Sequence, residues 1–346
     1  MGRCKWYIPV FISFAIYIVG QGVYSGTGKV VKHAESPEAF FNTIKNNCRL
    51  GKYGPVSGLI IKKKQNTVVV CSPLSNEPLP LESITKSITS LVLGIAVRCK
   101  EIESIDQCIV GFFPEYRSRM QQGWKTITLR DLLTMRSGIL WDEDLRPEPL
   151  NPLFRMYKAA DVYDYIFAQE VYCRKNFNYS SANTALLSRI ILTTSHMSFS
   201  AYADSFLFKP LGIRNYKWTN YANGITNTSA GLSLLPADLL KIGELCLREG
   251  RWNENQIVSE QWIRESFTGS TAVKNYLDVD FYGYSWWINS AYHLKKSSNT
   301  VKVIAASGYN NNHLILVPEK EVIIVVTGYS SSDPEKYLLL LQDVLQ

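Results

Sequence analysis

Apolar positions recur along this chain in two rhythms, one of helical and one of strand period. Between residues 36 and 47, Ala39, Phe40, Phe41 and Ile44 share a helical face. Ser36 is placed to cap that helix, with Pro37 and Glu38 in its first turn. Two short β-branched runs follow, 56–61 and 67–71, and the polar segment 62–66 joins them as a hairpin. Pro73, Pro78 and Pro80 mark a loop that feeds a helical pattern over 83–100, uncharged between Lys86 and Arg98, with Ile84, Ile88, Leu91, Val92, Ile95 and Ala96 facing the core. The middle of the chain is helical and rich in loops. It holds a helix over 128–135 that stops at Ser137-Gly138, a second over 184–192 and a third over 236–250. Near the C-terminus the pattern returns to strands at 282–288, 301–306, 313–317 and 322–327, with Pro318-Glu319-Lys320 as the last hairpin turn and a closing helix over 333–345. Strands at both ends with helices between them predict an α/β (α+β) fold. One antiparallel sheet is assembled from both termini and flanked by helices, a mostly helical lobe is inserted at about 105–235, and a cleft lies between the two.

The first 25 residues read differently. Arg3 and Lys5 precede an uncharged apolar run from Trp6 to Val19, and Gly20-Gln21-Gly22-Val23-Tyr24-Ser25 supplies small residues suited to cleavage. The apolar run falls short of the ~20 residues that span a bilayer, which favours a cleaved signal peptide over an uncleaved anchor. Membrane attachment, if any, is expected through this segment only. The expectation is an exported protein whose residues 26–346 form one catalytic domain. Asn178-Tyr179-Ser180 and Asn227-Thr228-Ser229 are formal glycosylation acceptors. A glycan beside Tyr179 would obstruct the site argued below, so a bacterial periplasm or cell envelope fits better than a eukaryotic secretory route.

Charge adds little. The net value is +7 and falls by two if the segment with Arg3 and Lys5 is removed. The dense run Lys62-Lys63-Lys64 sits at a hairpin end, without the broad basic and aromatic face that nucleic acid needs, so no nucleic-acid partner is expected. Cys48, Cys71, Cys99, Cys108, Cys173 and Cys246 are widely spaced and show no Cys-x-x-Cys. Disulfides and buried thiols are both compatible with that pattern. The four histidines are not paired at ligand spacing, and no G-x-S-x-G pentapeptide occurs. Both facts argue against a catalytic zinc or a nucleophile-elbow triad.

The candidate chemistry starts at Ser83-Ile84-Thr85-Lys86. Read back three residues from every lysine, and serine stands only here. On a helix these positions share a face, so hydroxyl and ammonium come within reach. In the first turn the unpaired N–H groups and the dipole favour an alkoxide and ease loss of the lysine proton, as a serine nucleophile without histidine requires. Tyr179, in Phe177-Asn178-Tyr179-Ser180-Ser181-Ala182-Asn183-Thr184, is the candidate proton carrier, since an adjacent ammonium stabilises a phenolate. The segment Ala305-Ala306-Ser307-Gly308-Tyr309 offers a strand edge on which a substrate could pair. The N–H groups of Ser83 and Tyr309 are its candidate oxyanion donors.

In order and spacing, Ser83-x-x-Lys86, the Tyr179 motif and Ser307-Gly308 resemble the serine β-lactamase and penicillin-binding superfamily. The likeness extends over about residues 38–345 and is nearest the class C-like branch with 6-aminohexanoate-dimer hydrolases and esterases. It implies catalytic Ser83, Lys86 and Tyr179, substrate contacts at Ser181, Ser307, Gly308 and Tyr309, no metal or organic cofactor, and a small-molecule or peptide amide or ester as substrate. Two departures stand out. Ser181 occupies the place of an asparagine, and Ala306 that of a Lys or His. Both argue against an efficient β-lactamase and against carboxylate anchoring. The resemblance leaves a peptidoglycan DD-peptidase and a non-catalytic binder of cell-wall fragments as alternatives to an amidase or esterase.

Overall fold

The computed structural model describes residues 37–54, 56–69, 76–143, 148–172, 176–273, 279–295, 298–328 and 334–345. The predicted signal segment and its cleavage site lie outside the described residues, as do Cys71 and Cys173. Among the described residues no helix is long and apolar enough to cross a membrane.

The helices are α1 (Pro37–Arg49), α2 (Ile84–Arg98), α3 (Leu129–Leu133), α4 (Pro152–Lys158), α5 (Val162–Phe167), α6 (Ser181–Ser195), α7 (Phe199–Ala203), α8 (Pro236–Leu247), α9 (Glu260–Ser266) and α10 (Pro334–Leu345). The strands are β1 (Gly58–Lys63), β2 (Asn66–Val69), β3 (Leu79–Pro80), β4 (Tyr216–Trp218), β5 (Leu232–Leu234), β6 (Arg251–Trp252), β7 (Asn255–Gln256), β8 (Thr271–Ala272), β9 (Phe281–Tyr282), β10 (Trp287–His293), β11 (Thr300–Gly308), β12 (Asn312–Val317) and β13 (Val322–Thr327).

Eight strands form one antiparallel sheet in the order β2-β1-β13-β12-β11-β10-β9-β8. The N-terminal β1 lies directly against the C-terminal β13, with Gly58 opposite Thr327 and Lys63 opposite Val322. The sheet is covered on both faces, so its inner strands read as continuous apolar runs. Ile60, Ile304, Ala306, Leu314, Leu316, Ile323 and Val325 join the core that contains α2 and α8. Their neighbours in the pleat, Leu59, Ile61, Val303, Ala305, Ile315, Val317, Ile324 and Val326, pack with α1 and α10. Helix α2 is buried from Ile84 to Ala96, and Gly94 lets Trp262 of α9 lie against it: a Cβ there would come within 2.6 Å of the indole.

The structure adds to one expectation, corrects a second and bears out a third. The inserted lobe carries α3 to α7, but it also holds a small sheet, β3-β5-β4, in which Leu79 pairs with Leu234 and Trp218 with Leu232. Strands of two or three residues are too short to leave an alternating pattern. The strand expected over 282–288 is a hairpin between β9 and β10, in which Ser285 takes φ +63° and its N–H is held by the Leu133 carbonyl. The last hairpin turns through a 3₁₀ turn at Pro318–Lys320, with the left-handed step falling on Glu321. Cys108 and Cys246 are free thiols, the first exposed and the second buried.

Candidate active site

Ser83 stands at the N-cap of α2, one residue earlier than the helical position read from the sequence. Glu82, at φ +50°, turns the chain into it. The Ser83 side chain makes no capping bond, which leaves its hydroxyl available to the cleft. Lys86, one turn into α2 and 1 % exposed, reaches back and donates to Ser83 Oγ at 2.9 Å and to the Ser229 carbonyl at 3.0 Å. The spacing of three that singled out this pair is therefore realised as a direct hydrogen bond.

Neighbouring groups fix Lys86. Ser229 is presented by a loop on which Asn227 Oδ1 accepts from Ser229 N, Ser229 Oγ and Ala230 N. The Tyr221 and Ser229 hydroxyls are 2.9 Å apart. A buried ladder of hydroxyls ties this loop to both helices of the site: Thr89 of α2 donates to the Thr228 carbonyl, and Thr228 donates to the Thr184 carbonyl of α6. Glu82 is half-buried, and burial raises its carboxyl above the usual range while the Lys86 charge pulls it the other way.

Tyr179 precedes α6, whose first residue is Ser181 and which therefore begins three residues before the predicted start. The Tyr179 ring stacks on Trp287 of β10 at 24° and 5.4 Å, and meets Tyr282 edge-on. Its face lies 5.1 Å from Lys86 Nζ. Asn178 locks the approach by donating to the Ile139 and Trp141 carbonyls. The predicted nucleophile, ammonium and phenol thus come together in one place, brought by α2 and by the segment entering α6.

The third segment arrives from the sheet edge. A Cβ built on Gly308 would meet the Leu81 carbonyl at 2.4 Å and Ser83 N at 3.2 Å, so only glycine lets the end of β11 approach the nucleophile loop this closely. Tyr309 follows, 77 % exposed. The Ser307 hydroxyl is engaged by His313 Nδ1 at 3.0 Å, directly across the β11–β12 ladder. Ser307 alternates with Ala306 and so falls on the sheet face that carries Ala305 and Val303, not on the α2 face. Ser181 is 2 % exposed and is held by Glu143: Ser181 N and Ser181 Oγ both donate to that carboxylate, at 2.9 and 3.0 Å. Sequence reasoning missed Glu143, Ser229 and Trp287. Each reaches the site from a distant segment and carries no local spacing that would mark it. Among the described residues no group of three or more His, Cys, Asp or Glu could hold a metal ion.

An antiparallel sheet made from both termini, with a Ser-x-x-Lys pair on the helix behind it and a helical lobe above, defines the class of β-lactamase-like serine hydrolases. A family model described as Beta-lactamase matches residues 70–340, and the chain belongs to that family. Similar folds occur in a Bacillus anthracis protein provisionally named 6-aminohexanoate-dimer hydrolase (TM-score 0.71, 16 % identity, 86 % of this chain and 80 % of that one). A class C β-lactamase from Rhodobacter sphaeroides is also similar (TM-score 0.63, 14 % identity, 90 % and 99 % covered), as is an octameric penicillin-binding protein homologue from Pyrococcus abyssi (TM-score 0.63, 19 % identity, 88 % and 77 % covered). At these identities the likeness is one of fold. No curated protein matches the sequence.

Proposed function

We propose that this chain is a serine amidase or esterase that works through an acyl-enzyme on Ser83. The observation that carries the reading is the 2.9 Å hydrogen bond from the buried Lys86 ammonium to the Ser83 hydroxyl. Ser83 Oγ attacks the carbonyl carbon of the substrate. The Tyr179 phenolate, stabilised by the Lys86 ammonium, takes the hydroxyl proton, and the resulting phenol delivers it to the leaving amine or alcohol. The N–H groups of Ser83 and Tyr309 hold the oxyanion, in keeping with the close approach of Gly308 to Ser83 N. Water, activated through the same pair, then releases the acid and restores Ser83. With Ala306 in place of a cation, nothing at that position anchors a substrate carboxylate, which favours a neutral amide or ester over a β-lactam or a C-terminal D-amino acid. The protein is placed in a bacterial envelope. The pattern of residues 1–25 supports this, and so does Asn178, whose side-chain amide donates to two backbone carbonyls and could not carry a glycan without losing at least one of those bonds.

The test is intact-mass spectrometry of the protein and of Ser83→Ala after incubation with an activated p-nitrophenyl ester and with a β-lactam. Rapid ester turnover or a covalent adduct that vanishes in the variant is expected. A wild type that forms no adduct and turns over neither compound would overturn the reading in favour of a binding protein.

A further inference from the structure

Ser181, 2 % exposed, stands where the family resemblance expects a cleft wall that contacts substrate, and Glu143 sets the polarity of that wall. A serine hydroxyl carries one proton and two acceptor lone pairs. Here that proton is committed to Glu143 Oε1 at 3.0 Å, and the Ser181 amide to Glu143 Oε2 at 2.9 Å. The carboxylate is held in turn by Trp141 Nε1 at 2.5 Å, and the Glu143 carbonyl by Asn151 Nδ2 at 2.8 Å, so its geometry is built and not incidental. Glu143 also belongs electrostatically to the site. Tyr157 beside Ser229 feels both Glu143 and Glu82, the residue before the nucleophile, and burial together with these charges pushes its phenol up to about 12. What Ser181 has left to offer a substrate is lone pairs backed by a negative charge. An asparagine amide at this position would instead present N–H donors. Ala306 supplies no compensating cation from the strand.

Resting on the acyl-enzyme reading above, we infer that Glu143 is the specificity-determining residue of this cleft. It turns the Ser181 wall into an acceptor subsite that selects acyl groups presenting a hydrogen-bond donor there, best of all an ammonium. Acyl groups that present a carbonyl or carboxylate are disfavoured. The same carboxylate caps the start of α6 two residues after Tyr179, so it also holds the proton carrier in register.

The test compares paired p-nitrophenyl esters of one aminoacyl group, with the amine free or acetylated, on the wild type, Glu143→Gln and Ser181→Asn. The wild type is expected to favour the free amine by about tenfold or more in kcat/KM, because a site built to accept a donor rejects the analogue that lacks it. Glu143→Gln keeps an acceptor for Trp141 and the Ser181 amide and should erase the preference. Ser181→Asn restores amide donors and should shift it toward the acetylated ester. Labelling of Ser83 by a fluorophosphonate, read by mass, reports separately whether the acyl-enzyme machinery works in each protein. Normal labelling with no amine preference in the wild type, or with the same preference in both variants, would overturn the inference while leaving the hydrolase reading intact. Absence of labelling and turnover in the wild type would overturn the hydrolase reading itself, and the inference with it. If Glu143→Gln fails to label, Ser181→Asn decides alone.

Discussion

At the scale of single residues the site depends on close approaches that tolerate no spare atoms. Gly308 is the clearest case. A methyl group there would lie 2.4 Å from the Leu81 carbonyl and 3.2 Å from Ser83 N, and both are backbone atoms that cannot rotate away. Gly308→Ala must therefore push the end of β11 off the nucleophile loop and open the space in which the oxyanion donors converge. Loss of one such donor generally costs about 10²–10³ in rate. We expect kcat/KM for an activated ester to fall by about 100-fold while the far-ultraviolet circular dichroism is unchanged. Lys86→Met probes the proton path instead. It keeps the length of the side chain but removes the donor to Ser83 and Ser229, and should lower kcat by about 10²–10⁴, with Ser83 labelling slowed in parallel. If Lys86→Met retained wild-type kcat, Lys86 would be a structural residue.

At the scale of elements, legibility in the sequence followed how local the cause was. Ser83 and Lys86 were readable because both lie within one helical turn, and the buried strands because sheets covered on both faces leave unbroken apolar runs. Glu143 was not readable, since it meets Ser181 across 38 residues of sequence, and neither was the β9–β10 hairpin, whose turn rests on a left-handed Ser285. The β11–β12 ladder shows a further nonlocal effect. There Ser307 and His313 face each other, and burial lowers the imidazole from the ordinary 6.5 to about 4. The folded ring stays neutral while the unfolded one takes up a proton below about 6.5. Stability from this pair is therefore complete above pH 6.5 and is lost as the pH falls toward 4. The full shift corresponds to roughly 3 kcal/mol, and since the residue as a whole is half-buried a loss of about 1–2 kcal/mol is expected. Urea unfolding at pH 7 and pH 4.5 on the wild type and His313→Gln isolates this contribution. The variant should lose less stability on acidification, and equal losses would show that His313 titrates as it does in the unfolded chain.

At the scale of the whole molecule, the fold closes by joining its two ends, and Asp343 of α10 makes the joint. Its Oδ2 accepts from Tyr53 Oη at 2.7 Å, Lys52 Nζ at 2.6 Å and Asn47 Nδ2 at 3.2 Å, so one carboxylate on the last helix gathers three donors from α1 and the turn after it. The three bonds are unequal. Lys52 is 39 % exposed in its side chain, and an ion pair in water contributes little. Tyr53 is fully buried, and burial together with the hydrogen bond to Asp343 pushes its phenol far above 10. Removing the carboxylate would strand that hydroxyl inside the core, which is the costly event. Asp343→Ala is therefore expected to lower unfolding free energy by about 2 kcal/mol, almost all of it through Tyr53. A double-mutant cycle with Tyr53→Phe checks the assignment, because deleting both partners should cost clearly less than the sum of the single losses. Helix α10 packs on the face of the sheet opposite α2, so folded Asp343→Ala should keep its rate on an activated ester. A variant that lost activity without losing stability would mean that the sheet transmits the position of α10 to the nucleophile, and that the two faces are mechanically coupled.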